Sequence, residues 1–268
     1  MRIGIFQGPE AAGSVAGMLD VLDAAARRAA SQGIRLLILP ELFLTGYNIG
    51  STALRALAEP ADGPSATAAA AIAANHGVAL LYGYPERGSD GHIYNSAILI
   101  GRDGNHAANF RKLHLFGAME NDVFTPGDDP AVMAEIDGMK LGILICYDVE
   151  FPEAVRTLAL RGARLVAVPT ALMHPYAFVP RVLVRARAWE NSVFLAYANR
   201  TGREGDLHYT GESCILGPEG SELARAGAGE EMIAAELDPA LMEKARALNT
   251  YLADRRPALY GAVVRASA

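Results

Sequence analysis

The sequence predicts an α/β protein built on a mixed, largely buried sheet, and three observations lead there. Short runs of apolar β-formers alternate with stretches whose apolar residues recur at helical spacing, the pattern of strand and helix layers. Asp-Gly pairs at 90–91, 103–104 and 137–138 lie between β-like runs and favour hairpins, so antiparallel pairs must interrupt any parallel core. The 268 residues are 51% apolar with a mean hydropathy of +0.15. Folded monomers of this mass expose roughly 11,000 Å² and bury a sizeable core.

Strands are expected at Ile3–Phe6, Leu36–Leu39, Val78–Tyr82, Tyr94–Ile100, Leu141–Ile145, Leu165–Val168 and Val193–Tyr197. Between the first two, Val15, Met18, Leu19, Leu22, Ala25, Ala26 and Ala29 form one helical face, with Ser14 as N-cap and Gly33 as stop. A second helix opens at Pro64 and ends near Gly77, and a third opens at Pro152 and ends near Gly162. A fourth spans Pro180 to Asn191, with Val182, Ala186 and Trp189 on its apolar side and Arg181, Arg185 and Arg187 interleaved. No repeat of 20 to 50 residues, linker or composition break divides the chain, so one domain over 1–268 is expected.

Composition excludes several function classes. With 24 basic against 30 acidic residues and no basic cluster, nucleic acid is not an expected partner. No uncharged apolar run reaches the ~18 residues of a membrane span, and the stretch from Met1 to Gln7 reads as a strand rather than a signal peptide. A cytoplasmic protein is expected. Cys146 and Cys214 are too few for a disulfide scaffold and lack metal-ligand spacing, so neither zinc nor another metal is expected.

Three strings place a reactive group just beyond a buried strand: Leu39-Pro40-Glu41, Phe110-Arg111-Lys112 and Ile145-Cys146-Tyr147-Asp148. A carboxylate, an ammonium and a thiol form a self-consistent set for nucleophilic acyl transfer. Cys146 falls on a strand-to-helix turn, where a helix N-terminus would favour its thiolate; read alone, it could equally be a small buried hydrophobe. Glu41 has apolar sequence neighbours, so burial should raise its pKa toward that of a general base. Lysine occurs only at 112, 140 and 244 against 21 arginines, and a compact ammonium suits a developing oxyanion.

Pro40-Glu41, Arg111-Lys112-Leu113-His114 and Ile145-Cys146-Tyr147-Asp148 resemble the three signature blocks of the nitrilase superfamily, the carbon-nitrogen hydrolases. Phe124-Thr125-Pro126-Gly127 and Pro169-Thr170-Ala171 fit the same pattern, and the resemblance covers nearly the whole chain. It implies a four-layer α-β-β-α sandwich with two mixed β-sheets and a homodimer, with a C-terminal tail over about 248–268 lying across the partner. It also implies a triad of Glu41, Lys112 and Cys146, with Glu120, eight residues after the lysine, as a second glutamate.

The implied chemistry is attack of Cys146 on an amide carbonyl, with Glu41 as base and Lys112 and the Tyr147 backbone N–H holding the oxyanion. A thioester would then be hydrolysed, with no metal or organic cofactor. Cys146-Tyr147-Asp148 is similar to amidase and carbamoylase sequences rather than to the Cys-Trp-Glu of true nitrilases. Further strings resemble short-chain amidases of the 5-aminopentanamidase type, implying a small aliphatic, including ω-amino, amide. Tyr47, Tyr147, Glu150, Ala171 and Tyr176 are the substrate-binding candidates; for a substrate ammonium, Glu150, Tyr47 and Tyr176 stand nearest by family position. A nitrilase, an N-carbamoyl amine hydrolase and a noncatalytic amide-binding protein remain as alternatives. The block Arg185 to Asn191, together with Asn95, Asn199 and Cys214, is read as structural.

Overall fold

The computed structural model describes residues 1–9 and 14–262. The first half contains β1 (Arg2–Gln7), α1 (Val15–Ser31), β2 (Leu36–Ile38), α2 (Ser51–Leu57), α3 (Pro64–His76), β3 (Ala79–Arg87), β4 (Ile93–Ile100), β5 (His106–Arg111) and α4 (Gly117–Val123). The second continues with β6 (Met133–Ile136), β7 (Met139–Ile143), α5 (Pro152–Leu160), β8 (Leu165–Pro169), α6 (Val184–Asn191), β9 (Phe194–Ala198), β10 (Arg203–Glu204), β11 (Leu207–His208), β12 (Cys214–Leu216), β13 (Glu222–Arg225), β14 (Glu231–Glu236), α7 (Pro239–Leu248) and α8 (Tyr251–Asp254). The expected tail is described as far as residue 262; residues 263–268 lie outside the described residues.

Two six-stranded mixed sheets carry the fold, in the orders β14-β1-β2-β3-β4-β5 and β13-β12-β9-β8-β7-β6. In each, three strands run parallel (β1-β2-β3 and β7-β8-β9) and antiparallel strands flank them. All three Asp-Gly pairs lie where expected, between the antiparallel neighbours β3/β4, β4/β5 and β6/β7. At the last, both Asp137 and Gly138 have positive φ, as a tight primed turn requires.

The period-two alternation of strands sorts side chains between layers. From β2, Leu36 and Ile38 join the core shared with Leu141, Ile143, Leu165 and Ala167 of the second sheet. Leu37 and the following Leu39 pack instead with Met18 and Leu22 of α1 and Ala69 and Ala73 of α3. Each such fully buried Leu or Ile contributes roughly 1.5–3 kcal/mol relative to exposure, so a one-residue slip of β2 would expose one layer to satisfy the other. Val155 and Leu158 of α5 and Val184 and Ala188 of α6 belong to the core around the second sheet. The result is two mixed sheets flanked by helices.

Helix punctuation follows the sequence closely. Ser14 Oγ accepts the Gly17 N–H at 3.1 Å, and Gly77 closes α3 in the left-handed conformation. The fourth helix requires a correction. It begins as a π-type turn over Val179–Leu183 before α6, and its buried face is Val184, Arg187, Ala188 and Asn191. The expected apolar stripe of Val182, Ala186 and Trp189 faces outward. Both stripes have helical spacing, so spacing alone could not choose, and the winner buries an arginine and an asparagine.

Candidate active site

Each of the three strings leaves a sheet at a strand end. After β2, the Leu39 N–H donates to the Leu81 carbonyl at 2.8 Å and the Pro40 carbonyl accepts the Gly83 N–H at 3.2 Å. The chain then turns sharply at Leu42, whose φ is +47°. A Cβ at position 83 would lie 2.3 Å from the Leu42 nitrogen and 2.7 Å from the Glu41 Cα, so only glycine lets β3 pass this turn. Lys112 follows β5, its N–H bonded to the Asn95 carbonyl at 2.8 Å.

Cys146 lies beyond β7 and opens a short 3-10 turn, Cys146–Glu150, with φ +46°. Positive φ is uncommon for a residue with a Cβ and marks a backbone held by its surroundings. Asp148 is one of the restraints: its buried carboxylate accepts the Ile145 N–H at 3.1 Å and the His114 N–H at 2.9 Å, and it meets His114 Nδ1 at 2.8 Å. The cysteine turn and the segment after Lys112 are thus tied through one side chain. From behind, Arg187 donates to the Val149 and Glu150 carbonyls at 3.1 and 2.7 Å.

Glu41, Lys112 and Glu120 are buried together. Lys112 Nζ donates to Glu41 Oε1 and to Glu120 Oε1, each at 2.7 Å, and all three side chains are 0% exposed. Asn95 Nδ2 donates to Glu41 Oε1 at 2.7 Å, whereas Glu41 Oε2 is buried with no hydrogen-bond partner. Glu120 also accepts from the Tyr47 hydroxyl at 2.7 Å and the Phe116 N–H at 2.9 Å. The sulfur of Cys146 interacts electrostatically with all three charged groups.

Burial pushes Glu41 up; Lys112 pulls it back and Glu120 pushes again, leaving the carboxyl above its ordinary range. For Lys112, burial acts downward, but Glu120 and Glu41 outweigh it and hold the ammonium well above its usual value. Burial and the Glu41 charge raise Cys146 well above a normal thiol, against the opposing effects of Lys112 and a hydrogen bond from the Ala171 backbone. This direction is opposite to the thiolate-favouring effect expected of a helix N-terminus. The turn is only five residues long, and desolvation beside two carboxylates exceeds any dipole it could supply.

The other candidates spread around this centre. Tyr47 is buried, with its hydroxyl committed to Glu120. Ala171 is buried beside the sulfur, and Glu150 is half-buried, its carboxyl raised by burial against the pull of Lys112. The Tyr147 ring meets Phe116 edge-on at 5.3 Å, and Phe116 meets the exposed Tyr176 at 5.8 Å. Residue-by-residue reading missed Phe116 and Asp148 and set aside Asn95 as a loop tie. An Asp two residues past the cysteine is a turn-cap signal that could have found Asp148; nothing local reveals that Asn95 reaches Glu41. Asn199 does tie loops, bonding the Leu172 N–H and the Gly211 carbonyl. Among the described residues no group of three His, Cys, Asp or Glu side chains is placed to hold a metal ion, and no helix is long and apolar enough to cross a membrane.

The carbon-nitrogen hydrolase family model matches residues 2–247. A hydrolase from the pqqF 5′ region of Pseudomonas protegens is 52% identical over 97% of this chain and 90% of its own. An (R)-stereoselective amidase from a Pseudomonas species is 37% identical over 84% and 81%. The amidase of Nesterenkonia sp. AN1 superposes with a TM-score of 0.85 at 35% identity, covering 98% of this chain and 100% of that one. Structures of that amidase include acrylamide added to the active-site cysteine and a variant in complex with butyramide.

Proposed function

The chain belongs to the carbon-nitrogen hydrolase family and is a cysteine-dependent amidase, and on that premise we propose that it hydrolyses a small aliphatic primary amide to the carboxylic acid and ammonia. The observation that carries this reading is the buried Glu41–Lys112–Glu120 cluster beside Cys146, with one Glu41 oxygen left unpartnered. A carboxyl raised by burial and lacking a hydrogen bond on one oxygen is suited to take and return a proton.

In the proposed cycle, Glu41 removes the Cys146 proton as sulfur bonds to the amide carbonyl carbon. The oxyanion is held by Lys112 and by the Tyr147 N–H, one of the first N–H groups of its turn, which have no partner within it. Glu41 then gives the proton to the departing nitrogen, the C–N bond breaks and ammonia leaves a thioester. Water attacks that thioester as Glu41 takes its proton; the C–S bond breaks and the thiol is restored. Glu120 keeps Lys112 in place, and Tyr47 keeps Glu120 in place. Ala171 orients the sulfur, while Tyr147, Phe116 and Tyr176 line the approach. The half-buried Glu150 extends the reading to ω-amino amides, since its carboxylate can meet a substrate ammonium.

Short amides bound by the Nesterenkonia amidase support the choice of substrate class. The test is ammonia release from butyramide and from amides varied in length and terminal charge, with a nitrile and a carbamoyl amine in parallel. Cys146→Ala is expected to abolish release with an unchanged circular dichroism spectrum. Turnover that survives this substitution, or activity confined to the nitrile or carbamoyl arms, removes the proposal. A homodimer completes the reading, because Leu160, Trp189, Tyr251 and Tyr260 expose apolar surface on α5, α6 and the tail. A monomer mass by light scattering would contradict it.

A further inference from the structure

The segment from Glu41 to Asn48 carries the proposed base at one end and, through Tyr47, touches Glu120 at the other. Both ends are gripped by one short stretch of the second half, between β9 and β11. At the first end, the fully buried Arg200 donates Nε to the Glu41 carbonyl at 3.1 Å and Nη2 to the Leu42 carbonyl at 2.5 Å. Leu42 is the left-handed residue of the turn, so its carbonyl points where an extended residue's would not. At the other end, Glu204 Oε2 accepts the Tyr47 N–H at 3.0 Å, the Asn48 N–H at 2.6 Å and the Tyr209 hydroxyl at 2.6 Å. Asn48 Nδ2 returns a bond to the Glu204 carbonyl at 3.0 Å.

The fit leaves no slack. A Cβ at Gly46, whose φ is +98°, would lie 2.3 Å from Glu204 Oε1, so the loop can approach the carboxylate only because residue 46 is glycine. Neither Arg200 nor Glu204 has an ion-pair partner among those found for the described residues. Arg200 is directed at two backbone carbonyls of the loop, and Glu204 at two of its N–H groups together with the Tyr209 hydroxyl. A buried charge is costly unless its hydrogen bonds are made, and apolar side chains of similar volume would serve equally well if packing were the only role.

We propose that Arg200 and Glu204 are positioning residues for the amidase reaction, a clamp of opposite charges that sets Glu41 directly and Glu120 through Tyr47. The proposal rests on the catalytic roles assigned above to Glu41 and Glu120. The backbone N–H of Tyr47 is held by Glu204 while its hydroxyl is bonded to Glu120, so displacement at 204 is transmitted to the Glu120–Lys112 pair. Loss of position on the scale of 1 Å is worth about 10²-fold in rate.

The experiment is a double-mutant cycle on Glu204→Ala and Tyr47→Phe, reading kcat for butyramide and, separately, the rate at which acrylamide alkylates Cys146, followed by intact mass. Each single variant should lower kcat by about 10-fold to 10²-fold with KM changed less, and the double variant should lose little more than the worse single. Glu204→Gln, which keeps an acceptor at the Oε2 position, should recover most of the loss. Thermal melting reports the folded fraction, and if Glu204→Ala fails to fold, Glu204→Asp replaces it in the cycle. Additive losses, or a kcat that falls only with the folded fraction, would overturn the clamp. A wild-type protein inert to every amide would instead sink the substrate reading, while the alkylation rates would still test the clamp.

Discussion

Glu41 and Glu86 are both buried glutamates paired with neighbouring basic residues, Lys112 and Arg111, yet their environments drive them in opposite directions. Glu86 accepts from Ser96 Oγ at 2.6 Å, from Asn109 Nδ2 at 2.8 Å and from Arg111 through Nε and Nη2. Burial acts to raise it, but the bonds from Arg111, Ser96 and Asn109 outweigh burial and hold it below the ordinary carboxylate range. Arg111 lies over the Tyr94 ring at 3.8 Å and is 33% exposed, so water shares in its solvation. Glu41 competes with Glu120 for one fully buried ammonium, has Asn95 as its other donor, and keeps one oxygen bare. What separates Glu86 from the proposed base Glu41 is complete burial beside a second carboxylate with few donors, since both have a cation.

The largest effect should come from Glu41→Gln. Volume and the Asn95 contact can be kept while the base is removed, so kcat for amide hydrolysis should fall on the order of 10²-fold to 10⁴-fold, read by ammonia release. Activity within tenfold of wild type would put the proton elsewhere and erase the contrast with Glu86. Next, Lys112→Met would leave two carboxylates without their cation in a dry site. Breaking a buried pair in this way costs about 3–5 kcal/mol, to be read from urea unfolding, together with loss of activity.

A smaller effect is expected at Glu86→Gln, where Ser96 and Asn109 still find partners. A loss of about 1–2 kcal/mol with kcat unchanged would sharpen the comparison, and a loss of activity would show that the Arg111 side of the strand reaches the chemistry after all. The pH dependence has a definite sign. The folded-state pKa of Glu86 is depressed, so its stabilisation is present above the unfolded carboxylate pKa and is lost as pH falls through the folded value. The stability gap between wild type and Glu86→Gln should therefore close in acid.

For Glu41 the displacement is upward, so the acid limb of kcat/KM should lie above the ordinary glutamate range, and a limb below it would mean that Lys112 outweighs burial. The smallest signal is at the second thiol. Burial raises both thiols, but Cys214 is 0% exposed in β12 against 8% for Cys146, which also has the Glu41 carboxylate beside it, so alkylation should reach Cys146 well before Cys214.

The sequence already contained the three strings that end at the site, each a reactive side chain following an apolar run, and the Asp-Gly pairs that break the parallel sheets with hairpins. These are local facts, governed by strand burial and turn geometry within a few residues. It did not reveal that the buried face of α6 carries Arg187, which braces the cysteine turn, because two stripes of the same spacing were available. Nor did it indicate that Asn95 shares Glu41 with Lys112, or that Arg200 grips a turn 159 residues away. Asn95 stands 54 residues from Glu41 on the same sheet and Arg200 comes from the other half of the chain, and hydrogen bonds across such separations carry no periodicity.

The direction of the cysteine titration was likewise decided only in three dimensions. A strand-to-helix turn suggests a lowered thiol, whereas the packed site surrounds it with protein and two carboxylates. Residue order therefore determined which groups are available and which strand ends present them. Tertiary structure alone decided their ionisation, because desolvation and charge proximity depend on what distant segments of the chain place within a few ångströms.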